Sequence, residues 1–168
     1  KITVICLEQP KISFDLPKNV QLHFEEITIS SGQRRKNKAA FLPAQCLSKD
    51  QLNVLVKKYD LKNFDIIHTA LHSFLRISEI CDNVIHGIND SLSRSSLDGS
   101  AKGKVKSKYF KKVEKKIAAL GSPLLVVSEN DAAFYPEAQT HVLQNGVDPE
   151  VFKPSEQEKK KEFVFHGV

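Results

Sequence analysis

The chain predicts an α/β fold with a mostly parallel sheet and flanking helices. Short strand-like runs recur along it, among them Ile2 to Leu7, Phe64 to His68, Asn83 to Ile88 and Leu124 to Val127. Segments with apolar residues at helical spacing lie between these runs, and strands alternating with helices build parallel sheets. The run Leu124-Leu125-Val126-Val127 is apolar throughout, which marks a central strand of a parallel sheet.

In chain order, Ile2 to Leu7 reads as a buried strand. After the punctuation of Pro10 and Pro17, Val20, Leu22 and Phe24 alternate with Gln21, His23 and Glu25, the period of a strand with one wetter face. Ser30-Ser31-Gly32 opens a polar basic loop containing Arg34-Arg35-Lys36-Asn37-Lys38. Leu47 to Tyr59 reads as a helix, capped by Ser48 and striped by Leu52, Leu55 and Val56. A strand from Phe64 to His68, a helix from Ser73 to Ile80 and a strand from Asn83 to Ile88 come next. Asn89 to Gly103, rich in Ser, Gly and Asp, is a loop.

Lys104 to Leu120 is the clearest helix. Val105, Tyr109, Val113, Ile117 and Leu120 share one face, lysines take the rest, and Gly121 ends it. Ser128 caps a helix start, with Asp131 three residues on, and Thr140 to Leu143 is a further strand. Asn145-Gly146 is a turn pair, and Asp148-Pro149-Glu150 begins a short helix. Phe163-Val164-Phe165 opens a last strand.

Composition narrows the class. A chain of 168 residues buries roughly 70% of its unfolded surface, enough for one real core. Its 40% hydrophobic and 27% charged content is that of a soluble globular protein. No apolar run approaches the roughly 20 residues of a membrane span, and the N-terminal run is too short for a secretory signal. The expected location is cytoplasmic. Three scattered cysteines, Cys6, Cys46 and Cys81, form no C-x-x-C pair, so reduced thiols are expected rather than a zinc site or a disulfide framework. The absence of methionine, even at position 1, suggests an incomplete N-terminus.

Ligands of parallel sheets sit beyond the carboxyl ends of the strands, so the residues after Ile67, Ile88, Val127 and Leu143 are the ones to weigh. His68 and His72 come after the first of these; His68 continues the strand, and His72 is the better candidate to bind a hydroxyl or act as a base. Asn89, Asp90 and Ser91 can accept from sugar hydroxyls or simply make a turn. Ser128 opens a helix N-terminus that can hold an anion or only cap itself. Lys104, Lys108, Lys111, Lys112 and Lys115 read either as a surface for anionic lipid or as a solvated helix face. The net charge of +5 suits an anionic partner of any kind. No G-x-G-x-x-G, Walker loop or nucleophile elbow is present, no His, Cys and acid spacing points to a metal, and aromatics do not interleave with the basic runs.

From Tyr109 onward a known pattern emerges. Tyr109 and Glu114 lie in a helix leading to Leu125-Val126-Val127-Ser128-Glu129-Asn130-Asp131. Then come Asn145-Gly146-Val147-Asp148, Phe152, Pro154 and Phe163-Val164-Phe165-His166-Gly167. This order resembles the junction between the two Rossmann-like domains of bacterial family-4 retaining glycosyltransferases. Upstream, the strand ending in His68 and the strand leading to Asp90 are similar to that family's next strands. Gln144 departs from it, standing where the family often has proline, and the glycine-rich loop that approaches donor phosphates is missing.

The resemblance implies one half of a GT-B fold. Residues 1–148 would form a Rossmann-like acceptor-side domain, 149–161 a linker and 162–168 the first strand of a donor-binding domain. The implied activity is transfer of a sugar from a nucleotide-diphosphate donor to a glycan or lipid-linked hydroxyl, in bacterial capsule, lipopolysaccharide or exopolysaccharide synthesis. It involves no resident cofactor and no metal. His72 and Asp90 would polarise the acceptor hydroxyl, His68, Asn89, Ser91 and Ser128 would bind it, and Asn145, Gly146 and Asp148 would shape the hinge. The basic helix would hold the enzyme on the inner face of the cell membrane, and the chain by itself would be inactive. Two rivals remain: a non-catalytic Rossmann-like interaction module, and a nucleic-acid-binding protein drawn by its charge, against which the lack of interleaved aromatics argues.

Overall fold

The computed structural model describes residues 2–7, 17–70, 72–96 and 98–146. Its strands form two all-parallel sheets. β1 (Ile2–Cys6) and β2 (Val20–Phe24) make the smaller one, in the register Ile2 opposite Val20 and Cys6 opposite Phe24. β3 (Ile67–Thr69), β4 (Val84–Ile88), β5 (Leu124–Val126) and β6 (Thr140–Val142) make the larger one, in the order β3-β4-β5-β6. The predicted α/β class with a parallel sheet is therefore the observed one.

The order of the larger sheet dictates its coverage. Each successive strand is added on the same side of its predecessor, so right-handed crossovers all pass over one face. That face carries Thr69, Val84, His86, Ile88, Leu124 and Val126, all buried. The opposite face carries Ile85, Gly87 and Leu125, half-buried, with His68 and His141 exposed at its sides. β5 is a central strand, as expected, lying between β4 and β6, although Leu125 on its second face is only half-buried.

Helices α1 (Ser31–Ala39) and α2 (Lys49–Tyr59) precede the larger sheet, and α3 (Ala101–Ala118) and α4 (Glu129–Ala132) come after β4 and β5. Two core clusters result. One joins Leu52, Leu55 and Val56 of α2 to Ile77 and Val84, with Ile5 and Leu7 of the small sheet packed on its rim. The other joins Val113 and Ile117 of α3 to Ile88, Leu124, Val126 and Tyr135. Each fully buried aliphatic side chain contributes about 1.5–3 kcal/mol relative to exposure.

Local chemistry sets the boundaries. Ser48 accepts from the Gln51 backbone N–H at 3.2 Å while the Gln51 side chain accepts from the Ser48 N–H at 3.0 Å, a reciprocal cap on α2. Ser100 caps α3 through the Gly103 N–H at 2.9 Å, and Gly121 lies just past the helix at φ 79°, a left-handed position that favours glycine. α3 therefore starts at Ala101, inside the stretch read as loop.

Several expectations are corrected. The basic segment after Ser30 is a helix, α1, with Ser30 capping through the Gln33 N–H at 3.1 Å. β1 is not a buried strand, because its Ile2 and Val4 face is exposed, as is Phe24 beside them. The helix expected from Ser73 to Ile80 is present at His72–Glu79, with 3-10 geometry. Val105 does not belong to the inward face of α3; it points to solvent, and Gly103, Ser107 and Glu114 lie inside instead. The helix expected at Asp148, the linker at 149–161 and the strand at 162–168 lie outside the described residues. Among the described residues no helix is long and apolar enough to cross a membrane.

Candidate functional site

The segments leaving the carboxyl ends of β3 and β4 converge on a cleft of about 390 Å³. His72, Leu92, Lys38, Gln45, Tyr109 and Phe110 are among its walls. Asn37, buried at the inner side of α1, builds the near wall. Its side-chain amide donates to the carbonyls of Ala44 at 3.1 Å and Cys46 at 2.7 Å, which fixes the turn carrying Pro43, Ala44 and Gln45. The Leu47 N–H donates to the Ser73 carbonyl at 2.8 Å and ties that turn to the segment bearing His72. The Tyr109 hydroxyl closes the far side, donating to the Lys38 and Leu42 carbonyls at 3.3 and 3.4 Å.

Behind the cleft a buried carboxylate organises the loop after β4. Glu114, only 2% exposed, accepts from the Ser91 hydroxyl at 2.8 Å and the Ser93 N–H at 2.9 Å through one oxygen. Ser91 in turn accepts from the Arg94 N–H at 3.1 Å, and Ser96 donates to the Leu92 carbonyl at 2.8 Å. These bonds hold Leu92 in the cleft wall.

His72 lies in the wall of this cleft. Its Nε2 is buried without a hydrogen-bond partner. Burial lowers its pKa, while the charges of Asp90 and then Glu114 pull the other way without overcoming it. The imidazole is therefore neutral at pH 7, able to accept from a hydroxyl on one nitrogen and donate from the other. A buried polar nitrogen left unpaired costs about 1–3 kcal/mol, which a ligand hydroxyl reaching it would offset.

The other predicted residues are distributed unevenly. Asp90 is exposed at the end of β4 and acts on His72 through its charge; Asn89 beside it is also exposed. Ser91 is committed to Glu114 and does not face a ligand. His68 is exposed on the opposite face of the sheet, lying over Gly87, where an added Cβ would come within 2.8 Å of its Nε2 and 3.1 Å of the Thr69 carbonyl. Ser128 caps α4, accepting from the Asp131 N–H at 3.2 Å and donating to the Asp131 carboxylate. Asn145 and Gly146 are exposed beyond β6, and Asp148 lies outside the described residues.

Nearby, His86 is spent on structure. Its ring bonds Thr69 Oγ1 at 2.7 Å and Ser78 Oγ at 3.3 Å, and burial pushes its pKa down to about 4. The cysteines are free thiols, and burial raises that of Cys46 to about 11, which makes it unreactive at neutral pH. Among the described residues no group of His, Cys, Asp and Glu is arranged to hold a metal ion.

A larger, more open groove of about 760 Å³ lies between the small sheet and the end of α2, lined by Thr3, Gln21, His23, Glu25, Tyr59 and Phe64 among others. Part of its polar lining is already paired: Glu25 accepts from both Lys58 and the Tyr59 hydroxyl, and the His23 ring lies 4.9 Å from that of Tyr59. Lys58 and Tyr59 hold the Glu25 carboxyl below its ordinary pKa.

Asn37, Lys38, Tyr109, Phe110 and Glu114 are site residues to which sequence pattern alone assigns no role in the cleft. A signal exists for α1, since Ser30 with Gln33 three residues on is a capping pattern, but no apolar stripe accompanies it. The fold defines a class: an α/β domain whose four-stranded, all-parallel sheet is flanked by helices, consistent with a Rossmann-like half-fold. No protein-family model, curated protein or solved structure matches the chain.

Proposed function

We propose that the chain is the acceptor-side half of a nucleotide-sugar-dependent glycosyltransferase, with the acceptor held in the cleft beyond β3 and β4. The observation that carries this reading is the unpaired, neutral His72 at the wall of a cleft on the ligand-bearing edge of a parallel sheet. The aromatic Tyr109 and Phe110 offer apolar faces for a sugar ring, and Lys38 and Gln45 offer donors at the rim.

In the transfer step the acceptor oxygen forms a bond to the anomeric carbon of the donor sugar. The bond from that carbon to the diphosphate oxygen breaks, and the nucleoside diphosphate leaves. His72 accepts a hydrogen bond from the acceptor hydroxyl and orients its lone pair toward the anomeric carbon; the hydroxyl proton departs with the leaving diphosphate. Asp90 stabilises positive charge drawn onto the imidazole as the hydroxyl is polarised. The donor would be held by a second domain, so activity belongs to the full gene product, working from the cytoplasm.

The test is turnover of nucleotide sugars by the full gene product, compared with its H72A and D90A variants. Loss of on the order of a hundredfold in kcat/KM for H72A, and less for D90A, is expected. Unchanged turnover and acceptor affinity in both would remove the assignment. Saccharide binding without turnover in the full gene product would favour a non-catalytic binding module.

A further inference from the structure

The surface bordering the cleft carries a charge that sugar transfer does not use. Lys104, Lys108, Lys111, Lys112, Lys115 and Lys116 of α3 are all exposed, and the one acid of that helix, Glu114, is buried. Helical spacing sets Lys104, Lys108, Lys111 and Lys115 in one row, with Val105, Lys112 and Lys116 in the next. Lys115 lies 3.8 Å from Glu137; no other lysine of α3 comes within 4 Å of a carboxylate among the described residues. α1 adds Arg34, Arg35, Lys36 and Lys38, all exposed and with no acid among them.

Two apolar side chains stand in this cationic field. Val105 is 70% exposed. Phe41, in the turn after α1, is 36% exposed and sits at φ 53°, a region that disfavours a bulky side chain. The Tyr109 ring lies 5.8 Å from the Phe41 ring, and Lys112 Nζ is 4.9 Å above it. Backbone strain held at an exposed aromatic, where asparagine or glycine would relax it, points to a use for that aromatic.

We propose that this face docks on an anionic lipid bilayer, with the α1 and α3 cations over the headgroups and Phe41 and Val105 in the interfacial layer. Cations and apolar groups together on one helix-built face match a membrane interface, where each lysine near an anionic surface strengthens binding roughly fivefold. Nucleic acid would pair the same lysines with phosphates but leave Val105 in water, so the apolar component favours lipid. Lys38, Tyr109 and Phe110 belong both to this face and to the cleft wall, so docking turns the cleft mouth toward the headgroups. That the acceptor is therefore lipid-linked rests on the transfer reading; the docking itself does not.

The test uses the chain with vesicles of phosphatidylcholine alone and of phosphatidylcholine with phosphatidylglycerol, at low and high salt. The chain contains no tryptophan, so F41W introduces a single reporting indole. Expected are co-sedimentation with the anionic vesicles only, a blue shift of the F41W emission on binding, and its quenching by brominated acyl chains. The exposed triple substitution K104Q, K108Q and K111Q should weaken binding roughly a hundredfold while leaving the melting transition in place. Equal binding to neutral vesicles, no binding to anionic ones, an F41W indole that stays in water, or tighter binding to duplex DNA at the same salt would each overturn the proposal. None of these outcomes touches the transfer reading, whose own test is the H72A effect on a soluble acceptor. An unaffected H72A enzyme that still binds vesicles would sink that reading alone.

Discussion

The two sheets of this protein are made of similar sequence and held by different means. β1 reads Ile-Thr-Val-Ile-Cys and β4 reads Val-Ile-His-Gly-Ile, both short, β-branched and parallel-paired. Yet Ile2 and Val4 are exposed, whereas Val84, His86 and Ile88 are buried. The difference lies in the helix that each strand does or does not receive. β4 and β5 receive α3, whose Val113 and Ile117 close a core over them, while the small sheet packs on the body only through the side that carries Ile5 and His23. Strand propensity is shared; coverage by a helix separates core from appendage, and the cleft lies on the covered sheet.

The comparison breaks most visibly under truncation. L124A and I117A, at positions with no exposure, should each cost about 2–5 kcal/mol in urea unfolding, whereas V4A should stay within about 0.5 kcal/mol. Equal costs would mean that the small sheet shares the core.

Acid should find the larger sheet next. The folded pKa of His86 is depressed to about 4 from an ordinary 6.5, so between those values the unfolded chain binds more protons than the native one. The stability this group contributes is present above pH 6.5 and lost as pH falls toward 4, at a cost on the order of a few kcal/mol. H86N, which does not titrate, should flatten the fall in Tm over that window; an unchanged pH profile would contradict the burial account.

The cleft wall comes third. N37A leaves the Ala44 and Cys46 carbonyls without their donor and should lower stability by about 1–3 kcal/mol, with faster amide exchange at residues 40–47. Exchange unchanged there would show that the turn holds itself.

The smallest effect belongs to the small sheet. Glu25 bonds Lys58 and Tyr59 at the surface, and E25Q should change global stability by about 0–1 kcal/mol. Its readout is exchange in β1 and β2, which should quicken without altering the larger sheet.

Legibility in the sequence divides along similar lines. The capped α2, the lysine helix and the run ending in Ser128 are legible because their signals are local: a capping residue, an apolar stripe, an unbroken apolar run. α1 is not, since Gln33 and Asn37 fasten it through hydrogen bonds to Cys46, Ala44 and Gln51, partners that periodicity cannot register. Val105 reads as inward because it is apolar, and nothing local marks Glu114 as buried, because Ser91 and Ser93 meet its charge from twenty-odd residues away. His72 can be named from its place after a strand, but its missing partner is a property of the packed structure.

The central claim is that the cleft beyond β3 and β4, not the more open groove beside the small sheet, takes a saccharide. Saturation-transfer NMR with methyl glycosides of the common hexoses tests it on the parent chain, H72A and, as the groove control, H23A. The account predicts transfer to at least one glycoside in the parent and H23A, and binding roughly tenfold weaker or lost in H72A. Transfer that survives H72A, disappears in H23A, or is absent from the parent with every glycoside would contradict it.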